Sequence, residues 1–200
     1  MDENIIDVLL NNEKYAEYKV FEKERLISED LQNSEFRNCT FKNCRFDNCI
    51  FEKSTFFNTV FEMCDFSNCN FNSSYWKNSN IIDCKGTGSN FSESIFKDTI
   101  FKNTFLNYGN FVLSKWENSV IEKCSLKEAF LSENKFKNMK FIEADISGAD
   151  FFKSSLKGID ISTCEIYGIT LSENMFEIKG AKVNYEQAVE IAKMLGVKIV

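Results

Sequence analysis

The stretch FRNCTFKNCRFDNCIF, residues 36–51, repeats with a period of five. A phenylalanine stands at every fifth position, and a cysteine lies two residues before each of the last three. An α-helix makes side chains equivalent about every 3.6 residues, and a strand makes them equivalent every second residue. Neither regular structure accounts for a five-residue period, so the fold must place every fifth side chain in the same environment by another route.

The same register runs through most of the chain without an insertion. From Leu31 to Phe176 it has thirty positions, and twenty-nine of them hold Phe, Leu, Ile or Trp. Gly86 is the one gap, and seventeen of the 21 phenylalanines, Phe21 included, lie on the register. An internal repeat of this length and regularity is typical of a solenoid, in which each repeat packs on its neighbours.

Two residues before each register position lies a second column, and it is mostly Ser, Cys or Thr. All eight cysteines belong to it, at positions 39, 44, 49, 64, 69, 84, 124 and 164. The larger exceptions come late in the chain: Asn134, Met139, Ile159, Ile169 and Asn174. The remaining positions are largely Asn, Lys, Glu, Asp and Ser. This pattern predicts a narrow tube with large side chains on its axis, small ones beside them and polar ones outside.

The pattern of a small residue, any residue, then Leu or Phe and two polar residues resembles the pentapeptide-repeat family, over about residues 21–180. The resemblance implies an all-β fold, a right-handed quadrilateral β-helix with four pentapeptides per coil. We therefore expect about eight coils, a shaft about 40 Å long at the strand spacing of β-structure, and a C-terminal capping α-helix. Leucine-rich repeats need longer, asymmetric units and do not fit a five-residue period.

The chain divides into three expected parts: an N-terminal cap over residues 1–20, the β-helix over 21–180, and a helix with a short strand over 181–200. In the last part, Asn184 is a predicted N-cap and Gly196 a predicted stop. Exposed apolar residues at this end predict homodimerisation. The candidate dimer interface comprises Val189, Ala192, Leu195, Val197, Ile199 and Val200.

The cysteines and Gly86 are interpreted as packing features. Thiols in the small column behave as small buried hydrophobic groups, because a metal site needs ligands that converge on one point. No catalytic, metal or cofactor-binding residue is predicted, and no cofactor. Gly86 is the predicted structural break, either a kink or bulge filled by the phenylalanine of a neighbouring coil, or a hinge or contact loop.

Composition narrows the classes of function. The formal charge is −6 with a pI near 4.9, which argues against direct binding to nucleic acid. The chain has no histidine, and neither a glycine-rich phosphate loop nor a convergent acid pair occurs, so an enzyme is disfavoured. An ice-binding solenoid would show an outward threonine ladder, and none is present. The N-terminus has no signal-peptide pattern and no segment suits a membrane, so we expect a cytoplasmic protein.

Counting charges by side of the coil reveals an uneven distribution. The side centred on Leu31, Phe51 and their equivalents at intervals of twenty residues has a net charge of −5, with Lys53 and Lys153 as its only cations. Its acids, the candidate partner-binding face, are Glu29, Asp30, Glu52, Glu93, Glu133, Asp150 and Glu173. We call this the acidic side. The side centred on Phe36 and its equivalents has a net charge of +3, and we call it the basic side.

The two ends of the chain resemble the quinolone-resistance (Qnr-type) group of the family. The opening NIIDVL and the closing Gln187, then Leu195, Gly196, Val197, Ile199 and Val200, carry this resemblance. It implies a dimer joined at its C-terminal end, a rod that imitates duplex DNA and engages DNA gyrase or topoisomerase IV, inhibiting them or protecting them from quinolones. The unbroken register leaves no room for projecting loops, so the comparison is with loopless members. The alternative is a repeat scaffold with another protein partner.

Overall fold

The computed structural model describes residues 4–200, which form a parallel β-solenoid with twenty residues per coil. Residues 1–3 of the expected N-terminal cap lie outside the described part. The strands are β1 (Tyr15–Glu17), β2 (Val20–Glu22), β3 (Arg25–Ile27), β4 (Glu35–Arg37), β5 (Thr40–Lys42), β6 (Arg45–Asp47), β7 (Thr55–Phe57), β8 (Val60–Glu62), β9 (Tyr75–Lys77), β10 (Asn80–Ile82), β11 (Ile95–Lys97), β12 (Ile100–Lys102), β13 (Lys115–Glu117), β14 (Val120–Glu122), β15 (Lys135–Lys137) and β16 (Lys140–Ile142).

The coil has four sides. Two sides are seven-stranded parallel sheets, β1-β4-β7-β9-β11-β13-β15 and β16-β14-β12-β10-β8-β5-β2. A third begins as the pair β3-β6, and it and the fourth continue through single bridges such as Asn70↔Asn90. The all-β solenoid prediction is confirmed. Each sheet has seven strands and spans six turns, fewer than the eight coils predicted, because the last coil joins the ladder only on the third and fourth sides, through Glu165 and Thr170.

The register residues stack along the axis, as the five-residue pattern predicts. Phe36 and Phe56 are parallel with ring centroids 5.4 Å apart, and Trp76 follows at 3.9 Å from Phe56. Adjacent sides meet edge to face, as Phe36 and Phe41 do at 5.2 Å. Both geometries are favourable for aromatic rings, and all four side chains are fully buried. The core is therefore a continuous column of rings rather than a layer between two sheets.

The small column contributes hydrogen bonds as well as space. Its hydroxyl or thiol group donates to a backbone carbonyl of the preceding coil, as in Ser94 Oγ to Phe71 O at 2.9 Å and Cys64 Sγ to Phe41 O at 3.3 Å. A serine in this column also accepts the indole N–H of Trp76 at 2.8 Å. Ser, Cys and Thr are interchangeable here because each is small and each can donate.

The corners between sides need a left-handed backbone. Asn38, Asn58 and Asn118 have φ near 51°, a region that asparagine tolerates better than most residues. Stacked asparagines then bond along the outside of the tube, as in Asn58 Nδ2 to Asn38 Oδ1 at 2.9 Å. The polar positions of the repeat thus include residues selected for backbone geometry.

The N-terminal end is covered by helix α1 (Ile5–Asn11), which buries Ile5, Val8 and Leu9. The solenoid begins earlier than expected, at Tyr15 rather than residue 21, because Ala16 occupies the position beneath Phe36.

The C-terminal end holds a short 3₁₀ helix (Phe176–Ile178) and helix α2 (Tyr185–Met194). Asn184 caps α2 in a capping box with Gln187, and Gly196 follows the helix with φ of 79°, as predicted. The short strand expected after it does not form, and within the described part of the chain residues 197–200 pair with no strand.

Gly86, the predicted structural break, keeps the backbone ladder of the coil. The ladder continues through this residue, with Gly86 N bonded to Phe105 O at 2.7 Å. A Cβ at Gly86 would lie 2.1 Å from the ring of Phe66, so that ring occupies the missing volume. Among residues 4–200, no helix is long and apolar enough to span a membrane.

Candidate functional site

The acidic side runs the length of the solenoid, and apart from the adjacent Glu29 and Asp30 no coil contributes more than one carboxylate to it. Glu52, Glu93 and Glu133 are separated by two coils each, which is about 10 Å at the spacing of β-structure. Duplex DNA carries a charge about every 1.7 Å. The side is thus acidic but much sparser in charge than the backbone of a duplex.

Hydrogen bonds and ion pairs divide its seven acids into three groups. Asp30 and Asp150 accept bonds from their own corners, Asp30 from Gln32 N at 3.0 Å and Asp150 from Phe152 N at 2.8 Å. The bond from the Gln32 N–H lowers the pKa of Asp30. These two carboxylates therefore stabilise the coil.

The second group is paired with the two lysines of this side. Glu52 lies 3.0 Å from Lys53 Nζ, and Glu133 lies 3.9 Å from Lys153 Nζ. The third group comprises Glu29, Glu93 and Glu173, whose side chains have no ion pair or hydrogen bond to other described residues. This third group is free to meet a partner.

An apolar cluster on the same side was missed by the sequence reasoning. Leu113, Phe130 and Phe152 lie on successive coils between Glu93 and Glu173, and each is 40–49% exposed. We call these three residues the apolar patch. Solvent-exposed aromatic residues are typical of protein-binding surfaces. The signal was available, because Phe130 and Phe152 are among the four phenylalanines outside the five-residue register.

The basic side is partly neutralised. Glu117 is held between Lys97 and Lys137, whose Nζ atoms lie 3.6 and 2.6 Å from its carboxylate. The hydrogen bond from Lys137 lowers the pKa of Glu117. Arg37 pairs with Glu35. Three exposed lysines of this side, Lys115, Lys135 and Lys157, have no ion pair with another described residue.

At the C-terminal end, the candidate interface residues divide by exposure. Leu195, Val197, Ile199 and Val200 are exposed, and Val189 and Ala192 are half-buried. A polar residue, Gln187, holds α2 on the solenoid, and its structural role was not predicted from the sequence. Gln187 is buried and its Nε2 donates to Ile161 O at 2.8 Å and Cys164 O at 2.6 Å. The helix is thereby fixed with much of its apolar surface unburied.

A buried carboxylate lies beneath the acidic side. The predicted register fails at Phe176, which is half-buried in the 3₁₀ helix, while the neighbouring Glu177 is fully buried. Its carboxylate accepts bonds from Lys153 N at 2.9 Å, Ser172 N at 3.2 Å and Ser172 Oγ at 2.9 Å. Burial raises the pKa of Glu177, but these hydrogen bonds outweigh burial and the pKa is lowered overall.

The eight cysteines are all free and buried in the interior. Burial raises the pKa of Cys124 to about 12, so its thiol is protonated and unreactive at neutral pH. Within residues 4–200, no group of three or more His, Cys, Asp or Glu side chains is arranged to hold a metal ion.

Two models of known protein families match the repeat region of this chain. A family model described as a pentapeptide repeat region matches residues 54–131, and a second, described as pentapeptide repeats (8 copies), matches residues 30–62 and 119–158. Together these matches run from residue 30 to residue 158. Among curated protein sequences, none matches this chain.

Solved structures give weaker likenesses. A trypsin-treated form of QnrB1, described as a plasmid-mediated fluoroquinolone resistance protein, is 24% identical, with 93% of this chain and 90% of that chain covered and a TM-score of 0.49. Full-length QnrB1 is 19% identical, with 89% and 100% covered and a TM-score of 0.46. HetL from Nostoc sp. strain PCC 7120, described as involved in heterocyst differentiation regulation, is 10% identical, with 90% and 94% covered and a TM-score of 0.33.

Proposed function

This chain belongs to the pentapeptide-repeat proteins, and on that basis we propose that it is a protein-binding rod that engages a type II topoisomerase, DNA gyrase or topoisomerase IV, where duplex DNA normally lies. The observation that carries the proposal is one side of a rigid rod that combines free carboxylates with an exposed apolar patch. The resemblance of both chain ends to Qnr-type proteins supports the choice of partner.

Two kinds of contact contribute to this binding. Glu29, Glu93 and Glu173 attract the basic surface that holds DNA, and such screened contacts weaken as salt rises. Because these charges are far sparser than those of a duplex, charge alone supplies little affinity. Leu113, Phe130 and Phe152 add apolar area, which is less sensitive to salt.

The rod acts in the cytoplasm as a homodimer in this proposal. Leu195, Val197, Ile199 and Val200 are exposed on the single chain, and joining two C-terminal ends would cover them. Two rods end to end would double the length of the acidic side. The expected outcome is modulation of the topoisomerase, with resistance to quinolones or protection from them.

The test is a supercoiling assay with purified gyrase and with topoisomerase IV, with and without a quinolone, at low and high salt. A triple charge reversal, Glu29→Lys with Glu93→Lys and Glu173→Lys, should abolish the effect of the protein. These three side chains make no hydrogen bond or ion pair with any of residues 4–200, so the variant should keep its fold and its circular dichroism spectrum.

A matched control carries the same change of net charge on another side: Glu24→Lys with Glu128→Lys and Glu165→Lys. It should retain most of the effect of the native protein on the enzyme. If both triple variants behave alike, or if the native protein has no effect at molar excess in low salt, the topoisomerase proposal is wrong.

The alternative function is a scaffold whose partner is another protein. The unpaired Lys115, Lys135 and Lys157 favour it, because a basic side is repelled by a surface that binds DNA. A partner that binds through these lysines would be insensitive to the reversal at Glu29, Glu93 and Glu173.

A further inference from the structure

The hydrogen-bond ladder is interrupted beyond β15 and β16. In the preceding coil, Asn118 N bonds to Lys137 O at 2.9 Å and Lys123 N to Ile142 O at 2.8 Å. One coil later, no residue of the described segment 155–163 forms a backbone hydrogen bond to β15 or β16. That segment turns to the C-terminal region instead, through Ile161 N to Lys182 O at 2.9 Å. The two sheets therefore end in free edges although the chain continues past them.

The cause lies in the small column. Met139 and Ile159 are one coil apart in the same position, where the five preceding coils have Cys39, Thr59, Ser79, Thr99 and Ser119. Two large side chains cannot both fit at a coil spacing of about 4.8 Å, so the coils separate. Glu143 N, which would bond to the backbone of the next coil, bonds to Thr163 Oγ1 at 3.1 Å.

The separation leaves a groove of about 600 Å³. Its inner wall is apolar and consists of Met139, Phe141 and Ile159. One of its rims is the free edge of β16. The Asn138 N–H, at the corner before β16, has no hydrogen-bond partner among the described residues. An edge with free donors and acceptors beside an apolar wall is what an added strand requires.

The charges around the opening are mainly positive. Lys140 lines the groove and Lys157 adjoins the lining residue Gly158; both lysines are exposed and have no ion pair with another described residue. Two acids also lie at the rim. Glu143 is paired with Lys123 at 3.7 Å, and Asp160 accepts bonds from the Ser162 N–H and hydroxyl at 3.0 and 2.6 Å.

We propose that this groove binds an extended acidic segment of a protein partner, which adds to the free edge of β16 as a further strand. Its backbone pairs with β16, its apolar side chains cover Met139 and Phe141, and its carboxylates meet Lys140 and Lys157. The groove is on a different side from Glu29, Glu93 and Glu173, so peptide binding in the groove can be tested independently of topoisomerase binding.

The probe is a short synthetic peptide that alternates glutamate and valine, labelled with a fluorophore and titrated with the native protein by anisotropy. Two control peptides are used: one alternates lysine and valine, and the other is the acidic peptide with alternate backbone nitrogens methylated. The methylated peptide keeps its charge but cannot pair with a strand edge. Its affinity should be lower by a factor of about ten or more, since it loses several backbone hydrogen bonds.

Two protein variants locate the site. Met139→Ser with Ile159→Ser restores the small column, should close the groove and should abolish binding. Lys140→Glu should weaken binding of the acidic peptide, whereas Lys85→Glu, an equal change on another side, should not. If the methylated peptide binds as well as its parent, if the lysine peptide binds better, or if the acidic peptide does not bind, the proposal is overturned. Displacement of the acidic peptide by a peptide of residues 196–200 would also overturn it, in favour of a second copy of this chain.

Discussion

The coils between Tyr15 and residue 133 and the coil that follows them differ in one column of the repeat. In the first region, from Ser34 onward, the position two residues before each core side chain is small, and almost every coil is joined to the next by an unbroken ladder. In the second region Asn134, Met139 and Ile159 enlarge that column, and the ladder opens on two sides. The large residues on the axis are similar in both regions, so the small column decides whether coils stack.

The comparison also explains why serine, cysteine and threonine share one position. Each supplies a donor for a carbonyl of the preceding coil, such as Ser79 Oγ to Phe56 O at 3.1 Å. Methionine and isoleucine supply none and occupy more volume. The enlarged column thus loses hydrogen bonds and gains steric conflict at the same place.

The largest expected effect comes from the core of the regular coils. Phe56→Ala should lower the free energy of unfolding by about 3–5 kcal/mol, because its ring is fully buried between Phe36 and Trp76. Phe136→Ala should cost less than half as much, because that ring is half-buried beside the opening. Guanidinium denaturation measures both. Equal losses would break the distinction between the two regions.

Transplanting the enlarged column should reproduce the opening. Ser94→Met places a large side chain where Ser94 Oγ bonds to Phe71 O, and should cost about 1–3 kcal/mol. Ser94→Ala, the matched control, removes the hydrogen bond without adding volume and should cost about 1 kcal/mol. Amide exchange should quicken around residues 74 and 94 in the methionine variant alone. If the methionine variant showed neither a loss of stability nor faster amide exchange, the proposed role of side-chain size would be contradicted.

The gap at Gly86 offers a test within the regular coils. Gly86→Ala brings a Cβ within 2.1 Å of the Phe66 ring and should cost about 1–3 kcal/mol. Adding Phe66→Leu should recover part of that loss, because the smaller side chain vacates the contested volume. Thermal unfolding of the two variants and of Phe66→Leu alone completes a double-mutant cycle. Additive effects would show that Phe66 does not fill the gap.

The smallest effect concerns Glu177 in the C-terminal coil. Glu177→Gln should lower stability by about 1–2 kcal/mol at neutral pH, since a charged acceptor of three hydrogen bonds becomes neutral. The folded-state pKa of Glu177 is lowered, so its contribution is present above the unfolded-state value and is lost as pH falls through the folded value. The difference between native and variant should therefore shrink in acid. A difference that is constant with pH would argue against an ionised Glu177.

Much of the fold follows from the sequence, because a strict five-residue register with one small and one large position leaves few backbone solutions. The stacked core, the N-cap at Asn184 and the helix stop at Gly196 are all local patterns. The opening was not predicted, although Met139 and Ile159 stand out as exceptions. Its consequence depends on their stacking one coil apart, which appears only after the chain is wound.

The surface was less predictable than the core. The sequence located the acidic side but could not separate Asp150, which caps its own corner, from Glu93, which is free. It also assigned no role to Gln187, whose bonds to two backbone carbonyls hold α2. Polar residues on a solenoid look alike in sequence, and only their hydrogen-bond partners distinguish structural ones from those that face solvent.

Hydrogen–deuterium exchange at the two equivalent corners tests the central claim most directly. Asn118 N is bonded to the next coil and Asn138 N is not, although both residues occupy the same position of the repeat. We predict slow exchange at Asn118, fast exchange at Asn138, and recovery of protection at Asn138 in the Met139→Ser, Ile159→Ser variant. Equal protection at both residues in the native protein would contradict the claim that the size of the small column controls coil stacking.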